Sequence, residues 1–81
     1  MNMKIFFKAG TELRMRLAPD VDYYTRSVET ESGKSVRQIL DDIGVSPAFI
    51  AFLYVGGKIK NLDYVPSDGE TITLQPPVSG G

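Results

Sequence analysis

Only one segment of this sequence has an unambiguous helical pattern, and it restricts the folds that are possible. Four apolar residues recur there at intervals of three and four, so they form one stripe along a helix: Val36, Ile39, Leu40 and Ile43. Ser35 with Gln38 is the signature of a capping box at the start of this helix, and Gly44 supplies a left-handed stop. A helix with a single apolar stripe can cover only one face of a sheet.

Five other segments have the alternation or composition of β-strands: residues 3–9, 24–31, 51–55, 58–60 and 70–75. The strand 51–55 is apolar on both faces, so we expect it at the centre of the sheet, whereas 58–60 is short and charged like an edge strand. Residues 11–17 fit either a strand or a helix, because Leu13, Met15 and Leu17 alternate while Leu13 and Leu17 also have helical spacing.

The order of these segments predicts an α+β fold. Strand, strand, helix, strand, short strand and strand, with one main helix, pack economically as a mixed sheet of about five strands that clasps the helix. This arrangement is the β-grasp, or ubiquitin-like, fold. We expect residues 1–75 to form the domain and residues 76–81 to form a flexible tail.

Composition and charge exclude several classes of function. The chain of 81 residues has room for one domain, and it contains neither cysteine nor histidine, so thiolate metal sites and histidine bases are excluded and no metal site is expected. A net charge of −1 argues against nucleic acid or an anionic membrane as the main partner. No apolar run reaches the roughly 18 residues of a membrane span and no signal peptide is evident, which predicts a cytoplasmic protein.

The last six residues have the composition of an insertable tail. Pro76 and Pro77 lack a backbone N–H and favour an extended stem, and Val78 supplies one apolar contact. Gly80 and Gly81 have no Cβ, so a partner can close around their backbone, and the terminal carboxylate lies on Gly81. Because a glycine-rich end by itself is more often a frayed terminus, the rest of the chain has to decide.

Together these segments resemble the ubiquitin-like sulfur carriers, a family that includes the small subunit of molybdopterin synthase and the thiazole-forming sulfur carrier of thiamine synthesis. The matching segments span nearly the whole chain: Lys4–Phe7, Gly33–Gly44, Tyr54–Lys58, Asp68–Glu70 and Pro76–Gly81. Two residues depart from the family pattern, since Gly56 replaces the usual asparagine and Gln75 the usual aromatic residue. Relatives of this type have a short helix at residues 11–17, so the resemblance favours a helix there.

The resemblance implies a specific chemistry at Gly81. An adenylyltransferase of the ubiquitin-activating type would use ATP and Mg²⁺ to adenylate the Gly81 carboxylate, and a persulfide donor would convert it to a thiocarboxylate. An acceptor synthase would then take the sulfur into a cofactor precursor, of molybdopterin or tungstopterin first and of thiamine next. The carrier would bind no cofactor and would not be an enzyme. The residues that would enter the channel of the activating enzyme are Pro76, Pro77, Val78, Ser79 and Gly80.

The second predicted site is the face of the sheet that the helix leaves uncovered. Contiguous apolar surface on a small domain usually marks an interface. Because the strand 51–55 is apolar on both faces, part of it must stay uncovered, with Phe52 and Tyr54 as the aromatic candidates. The predicted partner interface consists of Phe6, Phe52, Tyr54, Thr73 and Gln75.

Two other functions fit the same residues. A ubiquitin-like modifier joined through Gly81 to a lysine amine needs the same tail and the same adenylation, although such modifiers tend to carry arginine where Val78-Ser79 stand. A plain β-grasp binding module needs no tail chemistry and leaves the Pro76–Gly81 end unexplained.

Overall fold

The computed structural model describes residues 1–77, which form a five-stranded sheet, two α-helices and a 3₁₀ turn. In chain order the elements are β1 (Asn2–Lys8), α1 (Thr11–Leu17), β2 (Thr25–Glu31), α2 (Val36–Asp42), the 3₁₀ turn (Pro47–Phe49), β3 (Phe52–Val55), β4 (Lys58–Lys60) and β5 (Thr71–Gln75). The ambiguous segment 11–17 is thus a helix, as the resemblance favoured. Residues Val78, Ser79, Gly80 and Gly81 of the predicted tail lie outside the described residues.

The sheet has the strand order β2-β1-β5-β3-β4. β1 and β5 run parallel, with Phe6 opposite Thr71 and Lys8 opposite Thr73, and every other neighbouring pair is antiparallel. β4 lies at an edge, as its charge predicted. The expectation that β3 is central was wrong in detail: β3 is an interior strand, but β5 takes the middle position because it pairs with both β1 and β3. The predicted β-grasp fold is confirmed.

The core lies between one face of the sheet and the two helices. Val36, Ile39 and Leu40 of α2 are fully buried, and Ile43 is partly buried against the same cluster. The inward positions of the three interior strands complete this layer: Ile5, Phe7, Leu53, Val55, Ile72 and Leu74. Leu13 and Leu17 of α1 belong to the same cluster. Both helices, and not α2 alone, therefore cover this face of the sheet.

Both ends of α2 are held by contacts that the sequence signature predicted. The Gln38 N–H donates to the Ser35 hydroxyl at 3.3 Å, and the Ser35 N–H donates to the Gln38 side chain at 2.9 Å, which completes the capping box. At the other end Gly44 has φ +80°, and the Val45 N–H reaches back to the Leu40 carbonyl at 2.9 Å. This six-residue closure needs a left-handed residue, which explains the glycine.

The buried stripe of α2 gives a direct test of the core. Replacing Ile39 by alanine should lower the free energy of unfolding by about 2–5 kcal/mol, because it removes a fully buried aliphatic side chain and leaves a cavity. Urea unfolding followed by circular dichroism measures this difference. As a control, Asp41→Ala on the exposed side of the same helix should change it by less than about 0.5 kcal/mol. A loss below that value for Ile39→Ala would show that this stripe is not the core.

Candidate functional site

The chain leaves the sheet directly after β5. The Ala51 N–H donates to the Gln75 carbonyl at 2.8 Å, which extends the β3–β5 ladder to the last residue before the prolines. Pro76 and Pro77 follow and are both exposed. Since neither has an N–H to donate, the ladder ends where the sequence predicted.

A shallow cleft of about 360 Å³ lies at this exit point. It opens where the parallel strands β1 and β5 end side by side, and its lining comes from three parts of the chain: Lys8, Ala9, Gly10, Tyr24 and the run Thr73–Pro76. The first residue of the stem therefore borders a concave surface rather than open sheet.

A second, smaller cleft of about 210 Å³ also borders the stem. Pro76 and Pro77 line it together with Glu12, Leu13 and Arg16 of α1 and Phe49 of the 3₁₀ turn. The Arg16 guanidinium lies over the Phe49 ring, 3.9 Å from its centroid. Sequence reasoning missed Arg16 and Phe49, because only the folded chain brings residues so far apart in sequence to the stem.

The five residues of the predicted partner interface share the face of the sheet that points away from α2. Phe52 and Tyr54 form an edge-to-face pair with ring centroids 5.4 Å apart, and their cross-strand partners on β5 are Gln75 and Thr73. These four residues are therefore contiguous. Phe6 lies on the same face but on β1, across β5 from the aromatic pair, with the Lys4 ammonium 5.9 Å from its ring centroid.

Ile59 enlarges this face and was missed from the sequence. It lies opposite Tyr54 on β4, and 64% of it is exposed. The short Lys58-Ile59-Lys60 strand was correctly predicted at the edge, and its alternation separates Ile59 from the two lysines. That alternation was the available signal, but it does not show to which face the isoleucine belongs until the register with β3 is known.

The start of β5 is fixed to β1 by the turn Ser67–Glu70. The Lys4 N–H donates to the Asp68 carboxylate at 2.8 Å, and the Gly69 N–H donates to the Lys4 carbonyl at 2.7 Å. The Tyr64 hydroxyl donates to both Glu70 carboxylate oxygens, at 2.7 and 2.9 Å. The hydrogen bond to Glu70, with a further contribution from burial, raises the pKa of Tyr64. These contacts set the register of the strand that ends in the stem.

Two further observations bear on the classes of site. Among residues 1–77 no group of three or more potential histidine, cysteine, aspartate or glutamate ligands could hold a metal ion. In the same part of the chain, no helix has both the length and the apolar character to cross a membrane.

A mixed β-grasp sheet whose last strand runs directly into an exposed proline stem defines a ubiquitin-like protein. The chain matches the family model described as Mut7-C ubiquitin over residues 2–79, so it belongs to the Mut7-C ubiquitin family. Gly80 and Gly81 lie beyond the matched range. No match to the chain was found among curated proteins.

Two solved structures are similar over almost their whole length. SAMP1 from Haloferax volcanii is 22% identical with a TM-score of 0.67, and the match covers 96% of this chain and 99% of that one. A protein assigned as molybdopterin converting factor, subunit 1, from Pyrococcus furiosus is 20% identical with a TM-score of 0.67, covering 94% and 99%. At these identities the likeness shows the fold, and it confirms the ubiquitin-like resemblance seen in the sequence.

The Tyr64–Glu70 contact should make stability depend on alkaline pH. Because the pKa of Tyr64 is raised above its usual value of about 10, the contact contributes its full stability below pH 10 and loses it as pH rises through the folded-state pKa. The absorbance of tyrosinate and urea unfolding, both measured from pH 8 to 12, test this. Glu70→Gln keeps an acceptor but removes the charge, so it should lower the pKa of Tyr64. An unchanged Tyr64 titration in Glu70→Gln would contradict the assignment.

Proposed function

We propose that this chain is a ubiquitin-like sulfur carrier whose reactive group is the carboxylate of Gly81. In this role it is the substrate of an adenylyltransferase, receives sulfur from a persulfide, and delivers it to an acceptor synthase for cofactor synthesis, molybdopterin or tungstopterin before thiamine. The carrier binds no cofactor of its own and carries out no catalysis. ATP and Mg²⁺ belong to the activating enzyme.

The observation that carries the proposal is the way the chain leaves the sheet. The ladder ends at Gln75, two exposed prolines follow, and the first of them lines two clefts. The six residues from Pro76 to Gly81 can reach at most about 20 Å, at roughly 3.3–3.6 Å for each residue. Two glycines at the end of such a stem suit a narrow active-site channel, because no side chain limits the approach of the partner.

Sulfur transfer to Gly81 requires that its carboxylate first be converted to a better electrophile. A carboxylate resists nucleophilic attack, so ATP first converts it to an acyl-adenylate and releases pyrophosphate. A persulfide sulfur then attacks the acyl carbon and AMP leaves. The product is an acyl disulfide, in which a new carbon–sulfur bond joins Gly81 to the donor and the sulfur–sulfur bond of the persulfide remains. A second thiol then attacks the donor sulfur and cleaves that sulfur–sulfur bond, so the two thiol sulfurs end as a disulfide and a thiocarboxylate is left on Gly81. The carrier has no cysteine, so both thiols belong to partners.

The comparisons support this proposal at the level of the class. The chain belongs to a ubiquitin-like family, and one structure with the same fold is assigned as a molybdopterin converting factor subunit. That neighbour favours molybdopterin over thiamine as the pathway. It also favours a synthase partner that takes the carrier as its small subunit.

The position of the terminal carboxylate should be decisive for activation. Adding one residue after Gly81, or deleting Gly81, moves the carboxylate by about 3.5 Å, which exceeds the tolerance of an attack on a phosphate. Both variants should fold like the parent, since β5 ends at Gln75, and both should lose ATP–pyrophosphate exchange with the adenylyltransferase of the same organism.

The control is Asp41→Ala on the exposed side of α2, which leaves the whole tail unchanged and should be activated normally. Intact-mass measurement of the protein from its native host establishes which residue carries the terminal carboxylate and whether sulfur has replaced oxygen there. Full activation of the extended variant without trimming would refute the carrier proposal. A Gly81–lysine isopeptide without a thiocarboxylate would identify a protein modifier instead.

The uncovered face of the sheet should bind the activating enzyme. Phe6→Glu introduces a charge into this face, so it should raise the KM for the carrier in the exchange assay while the Tm stays nearly constant, because Phe6 points away from the core. Asp41→Lys, an exposed charge change on α2, serves as the control and should leave the KM unchanged. A collapse of the Tm in Phe6→Glu would show that this ring belongs to the core.

A further inference from the structure

The outer side of α1 carries two arginines, each of which is stacked on an aromatic ring from elsewhere in the chain. The Arg14 guanidinium lies 3.9 Å from the centroid of the Tyr23 ring, and the Arg16 guanidinium lies 3.9 Å from that of Phe49. Met15, between them in sequence, is 74% exposed. These five residues are here called the α1 strip.

The periodicity of the helix explains the shape of the α1 strip. Leu13 and Leu17 are buried, so Met15 lies on the opposite side, and with 3.6 residues per turn the two arginines flank it by about 100° each. Each arginine side chain stacks on the aromatic ring next to it, Arg14 on Tyr23 and Arg16 on Phe49. Met15 is therefore an exposed apolar side chain with a guanidinium group held in place on either side of it.

The two guanidinium groups have no carboxylate partner within the described part of the chain. The two ion pairs formed by residues 1–77 are Lys34–Asp42 and Arg37–Asp63, at other sites. Arg26, in contrast, donates to the Leu17 carbonyl at 3.0 Å and therefore serves the fold. Stacking occupies the flat face of a guanidinium and leaves its N–H edges free, and it also fixes the group in place before any partner binds.

The α1 strip is continuous with the base of the tail. Arg16 and Phe49 line the smaller cleft together with Pro76 and Pro77. Any protein that encloses the stem at Pro76 therefore meets Arg16 at the same time. This surface is distinct from the uncovered face of the sheet, which contains Phe52 and Tyr54.

We propose that the α1 strip docks an acidic surface of the enzyme that activates the tail, with carboxylates of that enzyme binding the N–H edges of Arg14 and Arg16 around Met15. This inference rests on the proposed carrier function and adds the chemistry of the partner. Guanidinium groups bind carboxylates in a bidentate geometry, and prior fixation by Tyr23 and Phe49 lowers the entropy that is lost on binding.

The charges around the α1 strip favour a protein over a nucleic acid. Glu12 lines the smaller cleft beside Arg16, while Asp20 and Asp22 lie in the loop that carries Tyr23. The Tyr24 N–H donates to the Asp22 carboxylate at 2.8 Å and lowers its pKa, so this charge persists. The phosphates of a nucleic-acid duplex follow one another at about one charge per 1.7 Å, so a duplex on this surface would be repelled by these carboxylates of the chain. A protein can instead place single carboxylates opposite the two arginines.

The test is the exchange assay with the adenylyltransferase of the same organism. Arg14→Glu/Arg16→Glu should raise the KM for the carrier at least about fivefold with kcat nearly unchanged, because the Gly81 carboxylate is intact. Lys34→Glu/Arg37→Glu makes the same total change in charge on the α2 side and should leave the KM within about twofold. Circular dichroism melts confirm that both proteins fold.

Two further measurements separate the geometry of the arginines from their charge. Arg14→Lys/Arg16→Lys keeps both charges but loses the planar fork, so its KM should lie between those of the parent and of the reversed variant. Raising the salt concentration should increase the KM of the parent more than that of the reversed variant, because salt screens exposed charges.

The outcomes distinguish the two proposals. If the parent protein is activated but the reversed variant matches the Lys34→Glu/Arg37→Glu control, the α1 strip is not the docking surface and the carrier function stands. If the parent is not activated at all, the carrier function fails, and the inference that rests on it fails too. Binding of a labelled single-stranded RNA that is lost in Arg14→Glu/Arg16→Glu would overturn the acidic-protein assignment.

Discussion

The parallel pairing of β1 with β5 is the interaction on which the rest of this molecule depends, because it joins the two ends of the chain inside one sheet. Phe7 and Ile72 are register partners at the centre of that pairing, and both side chains are fully buried. The Ser67–Glu70 turn fixes the approach of β5 through contacts with the backbone of Lys4. Once β5 lies beside β1, the chain must leave the sheet where β1 ends and α1 begins.

The second constraint on this molecule is that its helices cover only one face of the sheet. α2 and α1 bury the inward positions of the sheet, and the outward positions of β3 and β5 stay available to solvent. An apolar cluster of Phe52, Tyr54 and Ile59 on that face contributes nothing to the core of the isolated domain. Contiguous exposed apolar surface on a small domain usually marks an interface, so a partner that covers this cluster would explain its presence.

The uncovered face and the α1 strip both border the stem, but they offer a partner different chemistry. The face of the sheet is aromatic, whereas the α1 strip presents two stacked cations beside an exposed methionine. Apolar contact supplies most of the affinity in protein interfaces, while fixed charges set orientation and the rate of encounter. An enzyme that contacts both surfaces would have the tail aligned before the prolines enter its channel.

The amino-acid sequence by itself determined the features that arise from neighbours in the chain. The capping box of Ser35, the closure at Gly44 and the end of the ladder at Pro76 all depend on residues a few positions apart, so local pattern was sufficient. The chemistry at Gly81 is a prediction that the family resemblance of the sequence implies. Gly81 itself lies outside the described residues. Residues 11–17 needed the fold, since alternating and helical spacing coincide at Leu13 and Leu17 until both side chains pack into the core.

Tertiary structure alone decided which distant segments meet. It placed β5 rather than β3 in the middle of the sheet, and it set Ile59 beside Tyr54. It also brought Arg16, Phe49 and Pro76 around one cleft. No local pattern encodes such contacts, because strand order and helix placement are selected by the burial of the whole apolar set at once.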